Sequence, residues 1–224
     1  MSPLWLLFGL PVVAFLLWPH RYILDYISHK TGVLFYIPTD DKVVFITIDD
    51  GPTQYTDTIL QTLKDLDVKV TFFLIGERVR VRQDVVERIY AAGHGIANHD
   101  VSNRRSALVD ADDLRHSLVE TNRLLENGQR IRKYYFRPGC GYFTPALLRV
   151  AVTLGMRVTL GDVYPFDPFM PTFWSKFLLR YKTQPGSIVI LHDGTKGRVD
   201  SLCSTLREVV PILKKQGYRF EALL

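Results

Sequence analysis

The run Lys42-Val43-Val44-Phe45-Ile46-Thr47-Ile48-Asp49-Asp50-Gly51 reads as a β-strand that ends on two adjacent carboxylates. Val, Ile, Phe and Thr favour extended backbone, and the Asp-Asp-Gly-Pro sequence that closes the run is turn-forming. Neighbouring carboxylates at the end of a buried strand repel each other and lose hydration. A cation, an arginine or a shared proton offsets that cost. Successive side chains of an extended segment point opposite ways, so one Asp is expected to face a metal while its neighbour swings toward a reacting water. Taken alone, the same residues also read as an ordinary turn after a strand.

Outward from this run, extended and helical patterns alternate. Strands are expected at 43–48, 69–75, 95–98, 134–136, 157–160, 187–191 and 218–221, and helices at 56–66, 83–92, 111–127, 145–154, 173–181 and 202–216. Leu114, Leu118, Leu124 and Leu125 follow a helix face. Thr144-Pro145 is a helix entry, a cap followed by proline, and Gln216-Gly217 an exit. Regular alternation implies parallel strands with helices outside, as an open sheet or a barrel. In both, the polar residues that do chemistry gather at the carboxyl ends of strands. Asp49-Asp50, His99, Arg137, Asp162 and His192-Asp193 each follow a different strand, so five strand ends deliver ionisable groups to one face.

At 224 residues the chain suits one domain with a substantial core. Its 47% apolar and 23% charged residues are ordinary for a globular protein. The net charge of +5 is scattered, with clusters at Arg78-Val79-Arg80-Val81-Arg82 and Arg130-Ile131-Arg132-Lys133. No nucleic-acid motif accompanies them, so nucleic acid is not an expected partner. Cys140 and Cys203 lack CxxC spacing, and two buried thiols are expected. Leu4 to Trp18 carries no charge, and Trp5, Trp18 and Tyr22 suit membrane interfaces. The stretch is short of the ~20 residues of a full span, and it lacks the basic start and small-residue exit of a cleaved signal. An N-terminal hydrophobic helix, an uncleaved single-pass membrane anchor, is therefore expected over residues 1–22, with a connector over 23–40 and the main domain over 41–224. Arg21 and Lys30, which follow the segment, weakly favour a cytoplasmic domain.

In this order the motifs resemble the polysaccharide deacetylase family, carbohydrate esterase family 4, whose shared region is the NodB homology domain. The resemblance runs from about Val43 to Leu223. It implies an α/β fold, a distorted (β/α) barrel of about seven parallel strands, and metal-dependent removal of N-acetyl groups from amino sugars of a chitin- or peptidoglycan-like polysaccharide. The implied partner is an N-acetylated polysaccharide or oligosaccharide. The implied cofactor is a divalent cation, zinc first, with cobalt, nickel or manganese as alternatives. By family analogy the domain would lie outside the cytoplasm or in a lumen, against the flanking charges.

Residue by residue, Thr47-Ile48-Asp49-Asp50-Gly51 implies Asp49 as general base and Asp50 as metal ligand. Asn98-His99-Asp100-Val101-Ser102-Asn103 supplies His99 as a ligand but places Asn103 where the family has a second histidine, four residues on and on the same side of a helical turn. An amide oxygen binds a cation less strongly than imidazole, so metal affinity should fall and preference drift toward harder cations. Asp100 is an alternative ligand if the turn rotates it inward. Phe136-Arg137-Pro138-Gly139-Cys140-Gly141 implies that Arg137 pairs with Asp49 and that the backbone N–H of Cys140 receives the oxyanion. In residues 161–168, Asp167 is the first choice and Asp162 the second for the carboxylate that orients the catalytic histidine. Trp174 is expected to line part of the groove. Ile188-Val189-Ile190-Leu191-His192-Asp193 implies His192 as the acid that protonates the leaving amine, with Ile190 or Leu191 shaping the acetyl pocket. His94 is expected to be structural. Two other readings remain: a non-catalytic carbohydrate-binding relative with a degraded metal site, and an O-acetyl esterase.

Overall fold

A computed structural model describes residues 20–126 and 134–223. Helix α1 (Arg21–Thr31) precedes strand β1 (Val43–Gly51), and then follow α2 (Thr56–Asp65), β2 (Thr71–Leu74), α3 (Gly76–Arg80), α4 (Gln83–Ala91), β3 (Gly95–Asn98), α5 (Ala111–Glu126), β4 (Tyr134–Phe136), α6 (Pro145–Thr153), β5 (Met156–Val158), α7 (Thr172–Lys182), β6 (Ile188–His192), α8 (Lys196–Lys215) and β7 (Arg219–Phe220). The sheet order is β5-β4-β3-β2-β1-β6, with β7 paired to β1, and every pair is parallel. This is the α/β fold of about seven parallel strands that the alternating pattern predicts.

Strands β5 and β6 do not pair directly. Residues 33–36 lie between them, with Leu34 bridging Thr159 and Tyr36 bridging Ser187, while Val163 bridges Val189. These isolated bridges close the wall and make the barrel a distorted one. The period-two rule sorts the strand side chains. Val44, Ile46, Ile48, Val189 and Leu191 pack outward with Ile59 and Leu63 of α2 and Leu202, Leu206 and Val209 of α8. Val43, Phe45, Phe73, Ala97, Tyr135 and Ile188 form the inner cluster. A third cluster joins Leu24 of α1 to Leu114 and Leu118 of α5 and to Leu147, Val150 and Ala151 of α6.

Local sequence sets the element ends. The Thr144 hydroxyl accepts from the Leu147 N–H at 3.2 Å ahead of Pro145, and Gly217, with φ 90°, ends α8 where only glycine turns easily. Helix α8 starts at Lys196, earlier than the expected 202, because its first turn is polar and shows no apolar period. Helices α1 and α3 were not expected at all.

The membrane assignment is corrected. Among the described residues no helix is long and apolar enough to cross a membrane, and the single-pass localisation is withdrawn with it. The stretch Leu4 to Trp18 lies outside the described residues, as does the basic cluster at 130–133. Arg21, expected to follow the anchor at a membrane surface, instead donates to Asp162 from Nε at 3.0 Å and from Nη2 at 2.7 Å, and to the Pro185 carbonyl. The helix that it opens is part of the domain wall.

Candidate active site

Thr47 and Asp49 share the inner face of β1, two residues apart. The Arg137 Nη1 donates to both, at 2.7 Å to Thr47 Oγ1 and 2.5 Å to Asp49 Oδ1. Its Nε and Nη2 donate to the Thr159 and Leu160 carbonyls, and the guanidinium carbon stands 3.9 Å from the Phe73 ring centre. Every direction of this buried cation is held, so Asp49 meets a fixed donor and loses its rotational freedom.

Asp50 departs from the expected alternation. Its φ of 67° is left-handed, and the β1–β2 register breaks between Ile48 and Gly51. Strict alternation would send Asp49 and Asp50 to opposite faces. The bulge turns Asp50 back, so that His99 Nε2 lies 3.5 Å from Asp50 Oδ1 and 3.9 Å from Asp49 Oδ2. Both carboxylates therefore address one imidazole. Arg78 donates to the Asp50 carbonyl and helps hold the bulge. Burial alone would raise the Asp50 pKa, but the hydrogen bond from His99 and the charges of His99, His192 and Arg78 outweigh it and hold the group below its ordinary value. For His99, burial lowers and the two carboxylates raise, with the net direction upward.

His99 follows β3, and its Nδ1 donates to the Arg137 carbonyl at 2.7 Å. That bond fixes the tautomer and leaves Nε2 toward the carboxylates, the second-shell arrangement usual for a metal-binding histidine. Two ligands of one cation stand about 3 to 3.4 Å apart when each bond is near 2.0–2.1 Å, close to the Asp50–His99 separation. Asn103 lines the same cavity as Asp50. Among the described residues, however, no group of three or more His, Cys, Asp or Glu side chains could hold a metal. Asp50 and His99 stand at a separation that fits two ligands of one cation, and Asn103 is beside them only as a lining residue of the same cavity.

Asp100 is not free to add a third charge. Its buried carboxylate accepts from Arg104 Nε at 3.1 Å and from the hydroxyls of Ser106 at 2.8 Å and Ser117 at 2.7 Å. Burial would raise its pKa, but those donors hold it low. The expected helical turn is also absent: residues 101–104 form a bend, and Asn103 is exposed on it.

The second half of the site comes from β6. Asp49 and His192 are Cα partners across the β1–β6 ladder, so the candidate base and acid stand on neighbouring strands. His192 Nδ1 lies 2.8 Å from Asp167 Oδ1, and its backbone N–H donates to Asp167 Oδ2 at 2.9 Å. Burial alone would lower the His192 pKa; the Asp167 bond and charge, reinforced by Asp49 and Asp50, raise it. The turn that delivers Asp167 passes through Phe166 at φ 57°. Asp162 is corrected: it accepts from Arg21, Ser187 and the Ile188 N–H, so the structure does not bring it to His192.

Ile190 shares the inner face with His192 and packs close to Gly161, where a Cβ would meet Ile190 Cγ1 at 2.7 Å. Leu191 is corrected as an acetyl-pocket residue. It points the other way, into the cluster under α2 and α8. Cys140 stands in the turn after Arg137 at φ 63°; it is exposed, not buried as expected, whereas Cys203 is buried. Trp174 stacks on Phe177 of its own helix. The aromatic group beside His192 is Tyr164, 5.8 Å away and edge-on, with a pKa pushed up to about 12 by burial and the surrounding carboxylates. Sequence reasoning missed it, although it lies in the motif already quoted. His94 is structural in its contacts: it is buried, edge-on to Phe72, and its Nδ1 accepts from the Val70 N–H.

Residues 36–159 match the family Polysaccharide deacetylase, and the chain belongs to that family. It is 30% identical over 194 residues to a peptidoglycan-N-acetylglucosamine deacetylase of Bacillus cereus, covering 84% of this chain and 89% of that one. Among solved structures, it resembles the Bc1960 peptidoglycan N-acetylglucosamine deacetylase with TM-score 0.80 and 29% identity, over 88% of this chain and 93% of that one. A family 4 acetyl xylan esterase from Clostridium thermocellum, in complex with a cobalt ion, aligns with TM-score 0.73 and 28% identity over 81% and 88%. A family 4 pseudoenzyme from Bacillus anthracis aligns with TM-score 0.76 and 26% identity over 86% and 68%. Deacetylases of carbohydrate esterase family 4 are metal-dependent hydrolases.

Proposed function

We propose that this chain hydrolyses the N-acetyl group of an amino sugar within a polysaccharide, chitin- or peptidoglycan-like, releasing acetate and a free amine. The observation that carries the reading is the pairing of two oriented groups on adjacent strands: Asp49 fixed by Arg137, and His192 fixed by Asp167.

Asp50, His99 and Asn103 would hold the divalent cation, zinc first, with cobalt, nickel or manganese as alternatives. When bound, the cation polarises the acetyl carbonyl and lowers the pKa of water. Asp49 takes the proton from the attacking water. The backbone N–H of Cys140 receives the developing oxyanion, a task for which side-chain identity does not matter. His192 gives its proton to the departing nitrogen as the carbon–nitrogen bond breaks, and Asp167 keeps the imidazole cationic until then. Ile190 forms the apolar wall for the acetyl methyl.

Stripping the protein with a chelator, restoring single cations and measuring acetate release from chitin oligomers, peptidoglycan and acetylated xylan tests the reading. Release from an amide substrate that depends on an added cation is the expected result. Asn103→His should tighten cation binding about tenfold or more, as a stronger donor replaces a weaker one. The amide at Asn103 favours one alternative: a saccharide-binding chain without turnover, which saccharide binding with no acetate release from any substrate would establish. Release from xylan alone would instead make the chain an ester hydrolase.

A further inference from the structure

Beside Asp50 lies a cavity of about 510 Å³ whose lining includes Asn103 and four basic residues: Arg78, Arg82, Lys196 and Arg198. Asp50 is the only carboxylate among the lining residues. Some arginines elsewhere are paired, Arg80 with Glu120, Arg88 with Asp57 and Asp84, and Arg219 with Asp41 and Glu221, while others among the described residues, such as Arg105 and Arg149, are not. What marks this cavity is the gathering of four basic side chains in one place. Among the described residues no carboxylate pairs with Arg78, Arg82 or Arg198. Lys196 meets Asp200 one helical turn away. Arg198 folds back over Gly194, where a Cβ would stand 3.1 Å from its Nη1, so its guanidinium lies against the cavity wall. Helix α8 begins at the same place, and its capping residue Thr195 makes no side-chain cap bond, leaving N–H groups and the positive dipole end toward the cavity.

Like charges that outnumber their counter-charges repel, and a neutral saccharide does nothing to relieve them. A cation bound at Asp50 would add to the imbalance. Guanidinium groups match the planar geometry of carboxylate and the oxygens of phosphate. We infer that the cavity is a subsite for an anionic substituent, carboxylate or phosphate, carried by the saccharide close to the acetamido sugar that is processed. This rests on the deacetylase reading and narrows it to an acidic glycan. Arg82 and Arg198 grip the anion, and the α8 N-terminus adds to the field.

Three tetrasaccharides separate the possibilities: neutral N-acetylchitotetraose, the same backbone with lactyl carboxylates on alternate sugars, and one bearing 6-phosphates. Binding is measured by calorimetry on the full chain loaded with zinc and carrying Asp49→Asn, so that turnover does not intrude. KM values from the unaltered chain give the same comparison independently. At low salt one or both anionic forms should bind about tenfold or more tightly than the neutral one, the size of a charge-assisted hydrogen bond, and the gap should shrink at high salt. Which of the two anions binds better identifies the source. The double variant Arg82→Gln/Arg198→Gln should erase the preference while leaving neutral binding within about twofold, and Arg82→Lys/Arg198→Lys should retain most of it. Equal binding of all three oligomers overturns the inference. So does a Gln variant that loses affinity for all three alike without rescue by Lys. Anionic preference without acetate release from any oligomer would sink the catalytic reading alone, and acetate release without the preference would sink this one alone.

Discussion

At the scale of single residues the site is a set of constrained proton carriers. In the proposed role of acid His192 works only while charged, and its raised pKa means that the charged form persists to higher pH than a free histidine allows. Activity should therefore hold below that raised pKa and decline as pH rises through it. Replacing the partner carboxylate, Asp167→Asn, leaves only the more distant charges of Asp49 and Asp50 to oppose burial. The alkaline limb of kcat/KM should move to lower pH by about one unit or more, read from a pH–rate profile, whereas Asp162→Asn should leave that limb in place. The convergence of Asp49, His192 and Arg137 was legible in sequence because each lies at or just past the carboxyl end of its own strand. The choice between Asp167 and Asp162 was not, because it depends on a turn through a left-handed Phe166. Nor was the orientation of Asp50, since a bulge cancels the alternation on which the expectation stood.

At the scale of elements, apolar runs and breaks made all seven strands readable. Helix α1 escaped because only Leu24 among its residues is buried, which leaves almost no periodic signal. Besides the packing of Leu24, an ion pair attaches it. Asp162 is buried, and Arg21 supplies two of its hydrogen bonds. Arg21→Ala takes from that buried carboxylate its ion-pair partner and two hydrogen bonds. Because Arg21 is partly exposed, the loss should be about 2–3 kcal/mol, below that of a fully enclosed pair. Denaturant unfolding measures it, and Arg21→Ala/Asp162→Asn should recover part of the loss. Full stability in the single variant would mean that the ion pair contributes nothing to holding α1 on the wall.

For the molecule as a whole, buried His94 predicts a loss of stability in acid that does not arise in the active site. His94 has its pKa lowered from 6.5 to about 4, by burial first and then by Lys69, and its Nδ1 already accepts a backbone hydrogen bond. A neutral imidazole is required in the fold, while the unfolded chain takes up a proton below about pH 6.5. The contribution is thus complete above pH 6.5 and is lost progressively as pH falls toward about 4. His94→Gln keeps an acceptor and does not titrate, so its stability should fall less over that window in urea titrations at stepped pH. Equal slopes would place the acid sensitivity elsewhere, in the carboxylate clusters. The barrel's closure, unlike its strands, was missed in the sequence, because the short apolar run Val33-Leu34-Phe35-Tyr36-Ile37 was read as part of a connector and pairs only through isolated bridges.

That closure sets an order of events during synthesis. The segment around Leu34 is among the early parts of the domain to leave the ribosome, yet the residues it docks against, Thr159 and Ser187, are translated long after it. The nascent chain therefore waits with this apolar strip uncovered, and contacts so distant along the chain form slowly. Ribosome-bound chains stalled before residue 187 should be cut readily by protease at 33–36, and chains released at full length should resist.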